Sequence, residues 1–206
     1  MLYEHRGKLI RLLLYAVFLA ALMLVIAADA NTGPDKFFED SWTERVQEAI
    51  FLLLAIGLFV LSLRLQQVSI LATMFAGFFL LAFIRELDAL LEQNIGTGTW
   101  QVLVTGVFLV MVYQAHKHWA DLTNQVSAHV ETYSFGLFIA GFLTTFIFSR
   151  LIGNEELWMA IMEEGYRRNV KNAVEESTEL LGDALFLFSG IEFTIRYAKS
   201  SPEQSS

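Results

Sequence analysis

Four carboxylic acids lie along a segment that is otherwise apolar enough to enter a membrane. The segment runs from Asn172 to Phe193, and the acids are Glu175, Glu176, Glu179 and Asp183. At about 100° of rotation per helical residue, all four fall within one quadrant of a helix surface. Carboxyl groups placed together can exchange protons, bind a cation, act as acid and base, or hold an oxygen-preferring metal such as Mg²⁺.

A second group of ionisable residues lies at the end of an earlier apolar run, in the stretch FIRELDALLEQ. Its members are Arg85, Glu86, Asp88 and Glu92. The first three precede two further leucines, so at about 1.5 Å per residue they are expected in the outer hydrocarbon or just beneath the lipid headgroups. Ionisable side chains are costly at that depth unless they face protein or water.

The composition indicates the class of protein that must position these groups. The chain has 206 residues, of which 55% are hydrophobic and 17% are charged, and its mean hydropathy is +0.49. These values are more apolar than those of soluble domains, so the lipid bilayer is the expected partner. The net charge of −8, with only 14 Lys and Arg residues, argues against binding to nucleic acid. The absence of Cys excludes disulfides, thiolate catalysis and sulfur-ligated metals.

Six apolar runs approach the roughly 20 residues that a helix needs to cross a bilayer. We therefore predict an all-α fold, a polytopic integral membrane bundle of six transmembrane helices forming one domain over residues 1–206. A further stretch has Trp158, Met162, Tyr166 and Val170 at every fourth position, which is typical of an amphipathic helix at the membrane interface. The predicted spans are about 9–28, 49–63, 68–91, 100–115, 132–149 and 175–195, and the interfacial helix covers about 154–171.

The first run also resembles a signal peptide, because it ends in Ala28-Asp29-Ala30, a pattern similar to a signal-peptidase site. Its uncharged part, Leu12 to Ala28, is longer than the usual apolar region of about 7 to 15 residues. We therefore expect a retained first helix, with cleavage of residues 1–30 as the alternative. Basic residues at positions 6, 8 and 11 precede this helix, which favours cytoplasmic N- and C-termini for six spans, in a bacterial inner membrane.

In a six-helix bundle, the end of the third helix and the start of the sixth lie on the same face of the membrane. We therefore predict that the acidic quadrant of the sixth helix faces the Arg85 segment across a shielded gap, with Arg85 as internal counter-ion. The protonatable or coordinating groups are Glu86, Asp88, Glu175, Glu176, Glu179 and Asp183. Protons, a bound cation, water or the basic residues at 167, 168 and 171 must balance the excess of acids.

Three functions fit such a cluster. In the first, a small membrane protein couples transport to protons or another cation, because ionisable residues inside membranes are commonly functional. In the second, a membrane-embedded enzyme uses the carboxylates to process a lipid. In the third, Arg85 forms an internal salt bridge, and the protein has a structural or assembly role without chemistry. The first is the functional prediction. The sequence specifies no cofactor, and it leaves open a homo-oligomer or another membrane partner.

Three histidines form a separate group in QAHKHWADLTNQVSAH, the predicted loop between the fourth and fifth spans. They are His116, His118 and His129. Three neighbouring imidazoles can bind zinc or copper, although a solvated loop at the membrane surface is the simpler interpretation. Haem ligation needs histidines on facing helices at membrane depth, and the predicted loop offers none.

Overall fold

The computed structural model describes residues 2–31, 37 and 41–199, with side chains from residue 6 onward. The helices are α1 (Leu2–Asp29), α2 (Trp42–Arg64), α3 (Ser69–Glu86), α4 (Asp88–Asn94), α5 (Thr99–Lys117), α6 (Trp119–Val130), α7 (Tyr133–Phe142), α8 (Ser149–Ile152), α9 (Glu155–Met162) and α10 (Arg168–Lys199). A π-helical segment, Leu143–Phe148, joins α7 to α8. Every regular element in the described ranges is helical, so the predicted all-α fold is confirmed.

Within the described residues, four segments are long and apolar enough to cross a membrane. They are Arg6–Asp29, Trp42–Arg64, Gln66–Glu86 and Tyr133–Ile152. Much of their apolar surface is open: Leu13 is 65% exposed and Leu24 is 73% exposed. Large apolar surfaces of this kind are stable against lipid and unfavourable in water. By length and composition, these are the helices of an integral membrane protein.

The predicted third span at 68–91 is divided in the structure. α3 ends at Glu86, Leu87 leaves the helical geometry with φ −86° and ψ 9°, and α4 begins at Asp88. The Oδ1 atom of Asp88 accepts a hydrogen bond of 2.6 Å from the Ala89 N–H. A carboxylate in this position satisfies a donor that a new helix start leaves unpaired, which favours the break at this point.

The predicted interfacial helix at 154–171 is also interrupted. α9 begins after Asn154, whose side-chain oxygen accepts hydrogen bonds from two N–H groups of the first turn. The helix ends at Met162 because Glu163 has φ +48°, in the left-handed region that a right-handed helix cannot use. α10 then begins at Arg168, earlier than the sixth predicted span.

The chain divides into two compact units, which are described separately. Unit 1 comprises Met1–Val46 and Ala140–Phe188, and unit 2 comprises Gln47–Ile139 and Ser189–Ser206. The divisions fall within α2, α7 and α10, so each of these helices contributes residues to both units.

Unit 1 is held together by contacts of α1 with α10 and with the start of α2. The Tyr15 ring stacks on the Phe188 ring with centroids 4.1 Å apart. Asp29, 1% exposed, accepts hydrogen bonds of 2.8 Å from the backbone N–H groups of Trp42 and Thr43. The buried carboxylate therefore caps α2 and fixes its first turn beside the end of α1.

Unit 2 has an aromatic core around α3. The Phe75 ring lies 4.7 Å from that of Phe138 and 5.8 Å from that of Phe193, measured between centroids. A Cβ atom added to Gly77 would lie 2.5 Å from the sulfur of Met111. The missing side chain at Gly77 therefore lets α5 pack directly against α3.

Candidate functional site

α7 and α10 approach each other closely in unit 1 through two glycines. A Cβ atom added to Gly141 would lie 2.9 Å from the carbonyl oxygen of Gly182. A Cβ atom added to Gly182 would overlap the hydroxyl of Thr145 and lie 2.8 Å from its backbone nitrogen. Small residues allow membrane helices to reach such separations. Polar groups at this contact are therefore confined to a narrow space.

The π-helical segment Leu143–Phe148 places a hydroxyl group at this contact. The Thr145 hydroxyl lies 3.1 Å from Oδ1 of Asp183 and 3.4 Å from the carbonyl oxygen of Glu179, and it can donate to either. The Ser149 hydroxyl donates to the carbonyl oxygen of Thr145. π-Helical turns occur frequently at functional sites, and this one directs a donor towards the Asp183 carboxyl group and the backbone carbonyl of Glu179.

Those two acidic residues are buried. Asp183 is 1% exposed and Glu179 is 7% exposed. A carboxylate removed from water is stable only with hydrogen-bond donors and opposite charge nearby, or after it has taken up a proton. The groups around Glu179 and Asp183 therefore determine which of these forms the site holds.

Arg150, in α8, forms ion pairs with two carboxylates of the site. Its Nη1 atom lies 3.0 Å from Oε1 of Glu175, and its Nη2 atom lies 2.9 Å from Oε1 of Glu179. Lys171 approaches the other oxygen of Glu175, with its Nζ atom 2.6 Å from Oε2. Half of the Arg150 side chain is exposed, against 14% for Glu175 and 9% for Glu179. One guanidinium thus forms ion pairs with carboxylates on successive turns of α10, and it donates a hydrogen bond to Glu175 but is not aligned to donate to Oε1 of Glu179.

Gly153 leaves room for the Glu175 carboxylate. A Cβ atom at this position would lie 2.5 Å from the carboxyl carbon of Glu175 and 2.7 Å from each of its oxygens. A larger residue would therefore displace Glu175 from Arg150. The site thus depends on Gly141 and Gly182 where α7 meets α10, and on Gly153 beside the Glu175 carboxylate.

The second predicted group lies in unit 2 and forms local contacts. Nη2 of Arg85 lies 3.3 Å from Oε1 of Glu86, with side chains 47% and 18% exposed. Asp88 accepts from the backbone N–H next to it, and Glu92 accepts from the indole N–H of Trp100 at 3.1 Å. The expectation that this segment faces the acidic quadrant of α10 stays a prediction.

The structure brings together three of the predicted site residues, which are Glu175, Glu179 and Asp183. Glu176 lies half-buried on the same helix. Sequence reasoning missed Arg150, although it closes the fifth predicted span on the face where the sixth begins. It also missed Thr145, because a single hydroxyl in an apolar run is common in membrane helices and carries no distinctive signal.

The predicted histidine group separates into different environments. His116 is exposed, and Nδ1 of His118 lies 3.8 Å from Oδ2 of the exposed Asp121. In the part of the chain that the structure describes, no group of three or more His, Asp or Glu side chains is arranged to hold a metal ion.

His129 is 1% exposed and lies among aromatic rings of unit 2. Its Nδ1 atom is 3.3 Å from the hydroxyls of Tyr197 and Thr132, and its ring centroid is 5.0 Å from that of Phe193. Burial lowers the pKa of His129 from 6.5 to about 4, and the positive charge of Arg196 acts in the same direction. The imidazole is therefore neutral at physiological pH.

The acidic site has groups that can take up and release a proton. Glu179 and Asp183 supply carboxylate oxygens, Thr145 supplies a hydroxyl that can donate or accept, and Arg150 supplies a positive charge. Among known proteins, no family model, curated protein or solved structure matches the chain.

Proposed function

We propose that this chain is a small proton- or cation-coupled membrane protein, in which Glu179 and Asp183 take up and release the coupling ion. One observation carries the proposal: both carboxyl groups are buried where α10 packs against a candidate membrane span that contains Thr145. Burying ionisable groups in such a place is costly, and it usually accompanies a role in moving charge.

A gradient of exposure supports a path to these groups. Along α10 the side chains of Lys171 and Glu175 are 17% and 14% exposed, that of Glu179 is 9% exposed, and Asp183 is 1% exposed as a residue. An ion entering near the first turns of α10 meets the half-exposed Arg150 and the two glutamates that it contacts before it reaches Asp183. Because Arg150 holds both Glu175 and Glu179, it can keep one partner while the other is neutralised.

The proposed topology has six spans. Besides the four candidate spans, α5 packs on α3 through Gly77, and α10 packs on α7 through Gly182. Helices that pack alongside a span share its depth, which supports α5 and α10 as the remaining two. With six spans the termini lie on one side, and the basic residues before α1 favour the cytoplasmic side of a bacterial inner membrane.

The lipid-processing alternative has less support. An apolar groove of about 380 Å³ lies between α1 and α10 and is lined by Leu19, Met23, Ser177 and Leu181, among others. At about 100° per residue, Ser177 and Leu181 lie on the face of α10 opposite Glu175 and Glu179. A lipid tail in this groove would therefore not bring its reacting atoms to the carboxylates.

The test is ion flux in proteoliposomes across an imposed pH gradient. Asp183→Asn and Glu179→Gln remove the exchangeable charge with little change of shape, and each should abolish flux while the protein still folds. Asp121→Asn and Glu164→Gln make the same chemical changes at exposed positions and should leave flux unchanged. Flux that persists in both site variants, or a wild-type protein that carries none with protons, sodium or potassium, would overturn the proposal.

A further inference from the structure

A long apolar groove runs along unit 2 between α2, α3 and α5, with a volume of about 700 Å³. Its floor is made of small residues, among them Ala55, Ala76 and Gly106. Its borders include Ile56, which is 55% exposed, and Val110, which is 60% exposed. The groove is lined by two candidate spans and by the helix that packs on one of them. Water is disfavoured in such a space, so hydrocarbon must fill it.

The dimensions of the groove indicate what fits. From Val102 to Gln114 it follows twelve steps of α5, or about 18 Å at 1.5 Å per residue. This is close to half of the bilayer hydrocarbon, about 15 Å. The groove therefore has the length and the apolar lining that suit one extended hydrocarbon chain.

One end of the groove differs in chemistry from the rest. Among its lining residues only Thr73 and Gln114 have polar side chains, and they lie at the same end because α3 and α5 are antiparallel. α2 and α5 both finish just beyond this end, with the exposed basic residues Arg64 and Lys117. Along the helix axes, Lys117 lies about 5 Å past Gln114, and Arg64 lies about 8 Å past Phe59. Positive charge thus lies beyond the polar end of the groove, where an acyl chain bound in the groove would join its headgroup.

We propose that this groove binds one acyl chain of an anionic phospholipid, with the lipid phosphate beside Arg64 and Lys117. The apolar groove selects the chain by its length and apolar lining, and the basic residues select the headgroup by charge. The site lies apart from the carboxylates of α10 in the sequence, and the proposal does not depend on ion transport.

Binding is measured by native mass spectrometry on detergent-solubilised protein titrated with phosphatidylglycerol or phosphatidylcholine of the same chain length. The wild type should retain one phosphatidylglycerol in preference to phosphatidylcholine. The double variant Arg64→Gln, Lys117→Gln should lose that preference, by about fivefold in affinity for each charge removed. Arg85→Gln, which removes an exposed positive charge beyond the opposite end of the groove, should not change it. Equal binding of both lipids by the wild type, or an unchanged preference in the double variant, would overturn the proposal.

Gly106→Phe tests the groove itself. A Cβ atom at Gly106 meets no atom within 4 Å, so the new ring can enter the groove without displacing protein. Gly57→Phe is the matched control, because Gly57 also faces open space and does not line the groove. The retained lipid should be lost in the first variant and kept in the second. If Gly106→Phe does not fold, Gly106→Leu serves in its place. Equal lipid retention in the glycine variants would mean that only lipids surrounding the protein are bound, and would contradict the proposal.

Discussion

Two buried titratable sites of this protein include residues of α10, and they differ in the groups that surround their ionisable side chains. In the first half of the helix, Glu179 and Asp183 are accompanied by the Arg150 guanidinium and the Thr145 hydroxyl. In the last turns, Tyr197 contacts His129, which is enclosed by aromatic rings and has a pKa of about 4. The first site sets a positive charge and a hydroxyl beside its carboxyl groups, and the second surrounds its imidazole with neutral groups.

The difference indicates which of the two sites can exchange an ion. A carboxylate held by a basic side chain can be neutralised and charged again, because the partner remains to stabilise the charged form. His129 has only neutral groups at hydrogen-bond distance from its Nδ1 atom, and the nearby Arg196 further opposes protonation. We therefore expect the acidic site to respond to charge removal and the His129 pocket to respond to acid.

Arg150→Gln should cause the largest change. It removes the Arg150 cation from the buried Glu179, and the free energy of unfolding should fall by about 2 to 3 kcal/mol, less than for a fully buried pair because half of Arg150 is exposed. Chemical denaturation in detergent measures this change.

Arg85→Gln is the matched control for Arg150→Gln, because Arg85 is 47% exposed and also contacts a glutamate. Its cost should be below about 1 kcal/mol, as for a surface pair. A larger cost for Arg85→Gln than for Arg150→Gln would reverse the comparison and favour Arg85 as the internal counter-ion.

The lowered pKa of His129 predicts that the stability of the protein depends on pH. Its pKa is lower in the folded chain, about 4, than in the unfolded chain, about 6.5. As the pH falls below 6.5, the unfolded state therefore binds the proton first and stability declines. Between pH 7 and pH 5 this one group should cost about 2 kcal/mol.

His129→Gln should remove that part of the pH dependence, and His116→Gln, at an exposed position, should retain it. Unfolding curves of the three proteins at pH 7 and pH 5 provide the measurement. An equal decline in His129→Gln and wild type would mean that the pocket is not closed to protons.

Gly182→Ala should have a smaller effect than Arg150→Gln. Overlap with Thr145 costs about 2 kcal/mol, and the higher helix propensity of Ala returns about 1 kcal/mol, so the net loss of stability is about 1 kcal/mol. Gly136→Ala, where a Cβ atom meets nothing within 4 Å, should stabilise the protein. Thermal unfolding midpoints compare the two, and equal midpoints would contradict the close contact of α7 with α10.

Much of the fold follows from residues close together in sequence. Apolar runs of the right length predicted membrane helices, and four candidate spans are present in the described residues. The helix boundaries were predicted less well. Breaks at Leu87 and Glu163 depend on the conformation of single residues, which runs of apolar residues do not encode. Six spans and the orientation of the chain stay predictions.

The acidic site likewise has one feature that residue spacing predicts and others that depend on how the helices pack. Residue spacing alone places the carboxyl groups of α10 on one face, because helical rotation depends only on the number of residues between them. The ion pairs of Arg150 with Glu175 and Glu179, and the contact of Thr145 with Asp183, arise from the packing of separate helices. Contacts between helices depend on how closely their backbones approach, and here the approach depends on glycines distant in sequence.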